Sequence, residues 1–207
     1  MKKYAVEFLG TFVLVATVGL TVMCNMNWAP LAIGSALMVM VYAGGHVSGA
    51  HYNPAVTIAV FLRGKCPASD VPGYILAQIV GAACAAMICP YLKNYPEVAA
   101  LEIEPMRALL AEFIFTFVLA YVVLNVATAR KTAGNSYYGL AIGFAVLVGA
   151  VAIGTVSGAA LNPAVAIGAT MMGLLKSTNL WVYLVATLAA AASAAAVFKF
   201  TDEGDAG

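Results

Sequence analysis

Charge is scarce in this chain: ten Lys or Arg and nine Asp or Glu among 207 residues, 9% in all. A soluble domain carries about 25%, so these residues could not cover a surface facing water. The signs nearly balance, at a net charge of +1, which gives no excess to attract nucleic acid or an acidic partner. Histidine is scarcer still, with only His46 and His51, both beside one motif. There is no Ser/His/Asp set, no metal-ligand cluster and no glycine-rich phosphate loop. The chain is therefore read as a non-enzyme, and no cofactor or metal is expected. Cys24, Cys66, Cys84 and Cys89 lack ligand spacing. They read as small buried hydrophobes and imply no disulfide framework.

Apolar residues take up the remainder, at 63% of the chain and a mean hydropathy of +0.95. A polytopic membrane protein follows. Six segments approach the roughly 20 residues that a spanning helix needs. They run about Tyr4–Cys24, Trp28–Gly45, Val71–Leu92, Ala108–Thr128, Tyr137–Val156 and Leu180–Phe198. Met-Lys-Lys before the first run resembles a signal peptide, and the residues before Cys24 a lipoprotein cleavage site. The run is longer than a signal core and is interrupted by Glu7, so it reads as a retained first span. Two further apolar stretches, starting at Asn53 and Asn162, last only about ten residues. They are too short to cross and read as re-entrant half-helices.

Basic residues orient the spans. With both termini cytoplasmic, Lys2, Lys3, Arg63, Lys65, Arg130, Lys131 and Lys199 fall inside, against Lys93, Arg107 and Lys176 outside. Seven against three fits the positive-inside rule, and the Lys93–Pro105 loop then faces outward. The last residues, 201–207, "TDEGDAG", are expected to form a short disordered cytoplasmic end.

The chain also repeats itself. "YAVEFLGTF" from Tyr4 matches "ALLAEFIFTF" from Ala108 through Glu-Phe-x-x-Thr-Phe. "SGAHYNPAV" from Ser48 matches "SGAALNPAV" from Ser157, with Glu7 to Asn53 spanning 46 residues and Glu112 to Asn162 spanning 50. Three spans per copy is an odd number, so the second copy enters from the opposite side, an inverted repeat. The boundaries are about 1–92 and 106–200, within one channel domain covering 1–207. Asn53 and Asn162 read as N-caps, with Pro54 and Pro163 at the first helical position, where a missing N–H costs nothing. Inversion brings the two helix starts tip to tip. Each carries about +0.5 elementary charge, which disfavours protons and metal cations while the Asn amides can still donate to a passing oxygen. Gly139, Gly143, Gly154 and Gly158, spaced closely on one span, are expected to let helices approach.

The paired "HYNPAV" and "LNPAV" boxes in inverted three-helix repeats resemble the aquaporin/aquaglyceroporin (major intrinsic protein) family over nearly the whole chain. The resemblance implies an all-α bundle of six transmembrane helices plus two re-entrant half-helices, one pore per subunit and a homotetramer in the cell membrane. It implies pore-motif roles for Asn53, Pro54, Ala55, Asn162, Pro163 and Ala164, and loop-supporting roles for Glu7, Glu112 and His51. His46 reads as a hydrogen-bonded packing residue. Filter positions, carried over by offset from the motif asparagines, fall on Ile33, Ala150, Ala159 and Val165. The family's water channels place Arg after the second box, and its glycerol-selective members often add Asp. This chain has Val165 and Ala166 there. An apolar filter without Arg favours water together with small uncharged solutes such as glycerol or ammonia, in contact with membrane lipid and no nucleic acid. A strict water channel is the alternative. A secondary transporter would need coupling groups, for which only Glu7 and Glu112 could serve. A non-conducting structural role would call for longer outer loops than Lys93–Arg107.

Overall fold

The computed structural model describes residues 1–202. Eight α-helices fill them: α1 (Lys2–Val22), α2 (Ala29–Ser48), α3 (Pro54–Leu62), α4 (Val71–Leu92), α5 (Pro105–Thr128), α6 (Tyr138–Ser157), α7 (Pro163–Met171) and α8 (Leu180–Thr201). Six are long and apolar enough to cross a membrane, and α3 and α7 have nine residues each. At about 1.5 Å per residue, nine residues reach only about half of a 30 Å hydrocarbon layer. Among the described residues no β-sheet forms, and one isolated bridge joins Leu101 to Leu175.

The expected spans shift at their ends. The second extends beyond Gly45 to Ser48, because the helix continues until Gly49 adopts φ +84° and its N–H closes on Gly45. Gly158 ends α6 in the same way, at φ +86°. These are left-handed caps that a side chain would strain. Thr201, placed in the tail by sequence, closes α8 instead. Asp202 pairs with Lys131 at 3.3 Å, and 203–207 lie outside the described residues.

Packing follows the repeat. Within each half the first helix lies against the second and third long ones, α1 on α2 and α4, α5 on α6 and α8. Between halves α2 packs on α6, and each half-helix crosses to the other side, α3 onto α8 and α7 onto α4. At the α2–α6 crossing Gly34 faces Gly143; a Cβ on Gly143 would lie 2.5 Å from the Gly34 carbonyl oxygen. Gly139 meets the Tyr42 ring, whereas Gly154 has nothing within 4 Å. The expected stripe of small residues is thus a contact at two positions, a helix cap at Gly158 and open at Gly154.

Two other expectations change. Cys66 and Cys89 are buried but Cys24 is exposed, since α1 stops two residues before it. His46 is exposed on α2 because the buried face of that helix end belongs to Gly44 and Ser48. At the other end of the chain, Lys3 Nζ lies 2.5 Å from Asp70 and ties α1 to the start of α4. That ammonium holds the Asp70 carboxyl below its usual range.

The crossing gives a direct test. Gly143→Leu should lower stability by about 1–3 kcal/mol, the usual cost of overpacking, while Gly154→Ala should leave it unchanged. The thermal unfolding midpoint of the detergent-purified protein reads both.

Candidate functional site

Two segments break the helical order, 49–53 between α2 and α3 and 158–162 between α6 and α7. Ala50, Tyr52, Ala159 and Leu161 all adopt φ near +50°, a conformation that costs a residue bearing Cβ about 1–2 kcal/mol. The surroundings hold them there. Glu7 Oε1 accepts from the Ser48 hydroxyl (2.7 Å) and the His51 N–H (2.9 Å). Its Oε2 accepts from the Tyr52 N–H (2.7 Å) and the Gln78 amide (2.8 Å). Glu112 repeats the pattern with the Ser157 hydroxyl (2.7 Å) and the N–H groups of Ala160 (2.9 Å) and Leu161 (2.7 Å). Both carboxyl groups are fully buried.

Each segment ends in an asparagine that works in two directions. The Asn53 side-chain oxygen caps α3 through the Ala55 N–H at 2.8 Å, and Asn162 caps α7 through the Ala164 N–H at 2.8 Å. The amide nitrogens cross over: Asn53 donates to the Leu161 carbonyl and Asn162 to the Tyr52 carbonyl, both at 2.9 Å. The two half-helices therefore start side by side with Pro54 and Pro163 at their first positions. One N–H of each amide remains for a guest.

Sequence reasoning missed several of the supports. Tyr74 donates to the Ser48 carbonyl and Tyr183 to the Ser157 carbonyl, each at 2.6 Å. Both tyrosines follow their serine by 26 residues, so the repeat spacing carried the signal. Tyr52 sends its ring between α1 and α2, where only the absence of side chains at Gly10 and Gly44 leaves room. Its hydroxyl donates to the Met40 carbonyl at 2.9 Å. The first half also holds a polar cluster that the second lacks. The Thr57 hydroxyl donates to the Asn53 carbonyl and receives Gln78 at 3.0 Å, with His51 Nδ1 at 3.1 Å. Since Thr57 has spent its only proton, Nδ1 is assigned as the donor and Nε2 is left as an acceptor.

Three cavities line up through the bundle. The central one, about 60 Å³, is lined by both asparagines and by residues of both irregular segments. That is room for a few waters in file, at the roughly 10–15 Å³ each requires. Ala50, His51, Ala159 and Ala160 of the two irregular segments all form part of its wall. The remaining walls are apolar, including Leu14, Leu37 and Val146.

At one end Ile33, Ala150 and Val165 line both this cavity and a vestibule of about 450 Å³. Ala159 lines the central cavity alone. The structure thus brings the four candidate filter positions to the wall of one cavity, three of them also on the vestibule, joined by Val18 and Val22 of α1, which the sequence reading did not include. At the other end His51 and Val123 are shared with a second vestibule of about 450 Å³, which Lys65 and Cys66 also line. Shared lining residues thus link the three cavities, from the 93–104 loop to Lys65 and Cys66, with both asparagines in the wall of the central one.

The chain belongs to the major intrinsic protein family. The family's sequence profile matches residues 1–198. Aquaporin NIP1-1 of Zea mays is 34% identical over 219 aligned positions, covering 98% of this chain and 77% of that one. Aquaporin NIP1-4 of Oryza sativa subsp. japonica is 40% identical over 169 positions, covering 80% and 61%. The X-ray structure of the aquaglyceroporin from Plasmodium falciparum superposes with a TM-score of 0.80 at 25% identity, covering 95% of this chain and 94% of that one. Membership makes this a multi-pass membrane protein with a passive channel function, and leaves the solute open.

The carboxylate supports can be ranked by experiment. Glu112→Leu strands a hydroxyl and two N–H groups, each costing about 1–3 kcal/mol, and should prevent recovery of folded protein or sharply lower its unfolding midpoint. Tyr183→Phe and Tyr74→Phe each strand one carbonyl and should lower the midpoint less, by equal amounts.

Proposed function

We propose that this major intrinsic protein is a passive pore for water and small uncharged solutes, up to the size of a three-carbon polyol. One observation supports the reading: Ile33, Ala150, Ala159 and Val165 all line the central cavity, and none of them offers a side-chain donor or a charge. A solute there meets width and apolar wall, then the asparagine amides beyond. Asn53, Pro54, Ala55, Asn162, Pro163 and Ala164 form the central polar station. Glu7, Glu112 and His51 hold the segments that build it.

Cation exclusion rests on the two half-helix starts. Each contributes about +0.5 charge, and both face the cavity centre, a barrier of the type that keeps protons and cations out of neutral-solute pores. Without Arg at position 165 that barrier is weaker but present. The single domain spans 1–207, its two repeats covering about 1–92 and 106–200, with both termini cytoplasmic in the cell membrane and the Lys65 vestibule inside. Four copies assemble with one passage each.

The small central volume favours a second reading, a strict water channel whose apolar ring is too narrow for glycerol. Stopped-flow light scattering on proteoliposomes separates the two. Fast shrinkage in sucrose followed by fast re-swelling in glycerol is the expected result. Val165→Arg should then slow the glycerol phase by about tenfold, the effect of roughly 1.4 kcal/mol of added barrier. Fast shrinkage alone establishes the water-only pore, and rates equal to those of empty liposomes overturn both.

A further inference from the structure

We infer that the mouth at the Lys65 end binds a phosphate group, as inorganic phosphate or a small phosphomonoester, and that its binding slows passage through the pore. The inference rests on the pore reading above and adds a ligand site to it.

Beside the vestibule at His51 lies a further cavity of about 460 Å³, lined by the turn between α5 and α6. Gly49, Lys65, Ala127 and Thr128 line both, and Ile142 links the further cavity to the central one. Among the residues lining the two, Lys65 and Arg130 are charged and none is acidic. The opposite vestibule is the reverse: its one charged lining residue is Glu97. The two mouths therefore differ in sign. A cavity lined by one sign of charge, with low-dielectric walls, concentrates ions of the other sign.

The backbone fixes where the donors stand. After α3 the chain reverses at Gly64, φ +84°, and the Lys65 N–H closes on the Val60 carbonyl at 3.0 Å. Among the described residues the Lys65 ammonium has no ion-pair partner. The turn that carries Arg130 is fastened to the end of α5. There the Thr132 hydroxyl donates to the Asn125 carbonyl, and the Asn135 amide to the carbonyls of Val126 and Thr132. At the start of α6, Tyr138 lines the same cavity, its ring edge-on to Tyr42. Its hydroxyl has no hydrogen-bond partner among the described residues. The Thr128 proton is spent on the Leu124 carbonyl. The side-chain donors are thus an ammonium, a guanidinium and a phenol, a set suited to phosphate oxygens, which Lys meets as a point charge and Arg as a fork. Val41 and Ile142, both buried, back the cavity. Beyond them the walls of the central cavity are largely apolar, and a doubly charged group pays heavily to enter. The anion is held at the mouth beside Ile142, in the way of a neutral solute, and does not pass.

Titration calorimetry of inorganic phosphate into the detergent-purified full chain, against chloride of matched ionic strength, reads the site independently of conduction. Saturable binding is expected for the wild type. Lys65→Gln and Arg130→Gln should each weaken it about tenfold, the loss of one charge-assisted hydrogen bond. Tyr138→Phe should weaken it less, and Lys93→Gln, at the other end of α4, should leave it unchanged. In phosphatidylcholine proteoliposomes, phosphate on both sides should slow stopped-flow shrinkage relative to chloride, and Lys65→Gln should abolish the difference. Slowing by added phosphatidylglycerol, with no response to phosphate, would give the site to a lipid headgroup and overturn the soluble ligand. No saturable heat, or equal heats in wild type and all variants, overturns the site and leaves a conducting pore intact. Phosphate binding with shrinkage no faster than that of empty liposomes would keep the site and remove the pore reading, and with it the effect on passage.

Discussion

Hydrocarbon offers nothing to an unpaired backbone amide, so irregular chain at membrane depth must find every partner inside the protein. This molecule carries two such stretches, and the rest of its architecture serves that need. Two carboxylates, each at one point of a long apolar helix, collect the N–H groups that the αL residues turn away from any helix. Two serines and two tyrosines secure the ends where α2 and α6 stop. The same two stretches, with both asparagines, line the central cavity. The polar lining is thus a by-product of how the loops are held.

The two halves are alike in their support and unlike in their lining. Glu7 and Glu112, Ser48 and Ser157, Tyr74 and Tyr183 match one for one. At the Lys65 end, however, Thr57, Gln78 and His51 form a connected polar group, where the second repeat has Ala166 and Thr187. At the Leu101 end the vestibule is lined by Ile, Val, Ala and Leu together with Asn25 and Glu97.

Much of this was legible in the amino-acid order. Glu7 and Glu112 stood out because an acid inside an apolar span is costly, and the twin boxes because Asn-Pro has no place inside a spanning helix. The half-helix starts at Pro54 and Pro163 follow from capping chemistry alone. Tyr74, Tyr183 and Gln78 were hidden because polar tips on otherwise apolar helices do not announce their partners; the shared spacing of 26 residues would have paired the two tyrosines alone. The span ends at Ser48 and Ser157 were misjudged because apolarity fades before the helix does, and the left-handed glycines mark the true stops. His46 and Cys24 failed as packing residues because apolar surroundings in a membrane chain do not distinguish protein interior from lipid.

The crossed asparagine bonds carry a consequence for how the protein comes into being. Asn53 finds its acceptor 108 residues later, at Leu161, and Asn162 reaches back 110 residues to Tyr52. At roughly 5–20 residues per second of synthesis, the first box emerges about 5–20 s before its counterpart exists. During that interval α3 has no α8 to lie against and the Tyr52 carbonyl has no donor. The amino-terminal half must wait, its loop incomplete, within the translocation machinery or at the lipid interface. The second half then supplies both the Leu161 carbonyl and the Asn162 amide, so that neither crossed bond can form before it. Assembly is therefore a late step, and the half-made chain is the form most exposed to proteolysis.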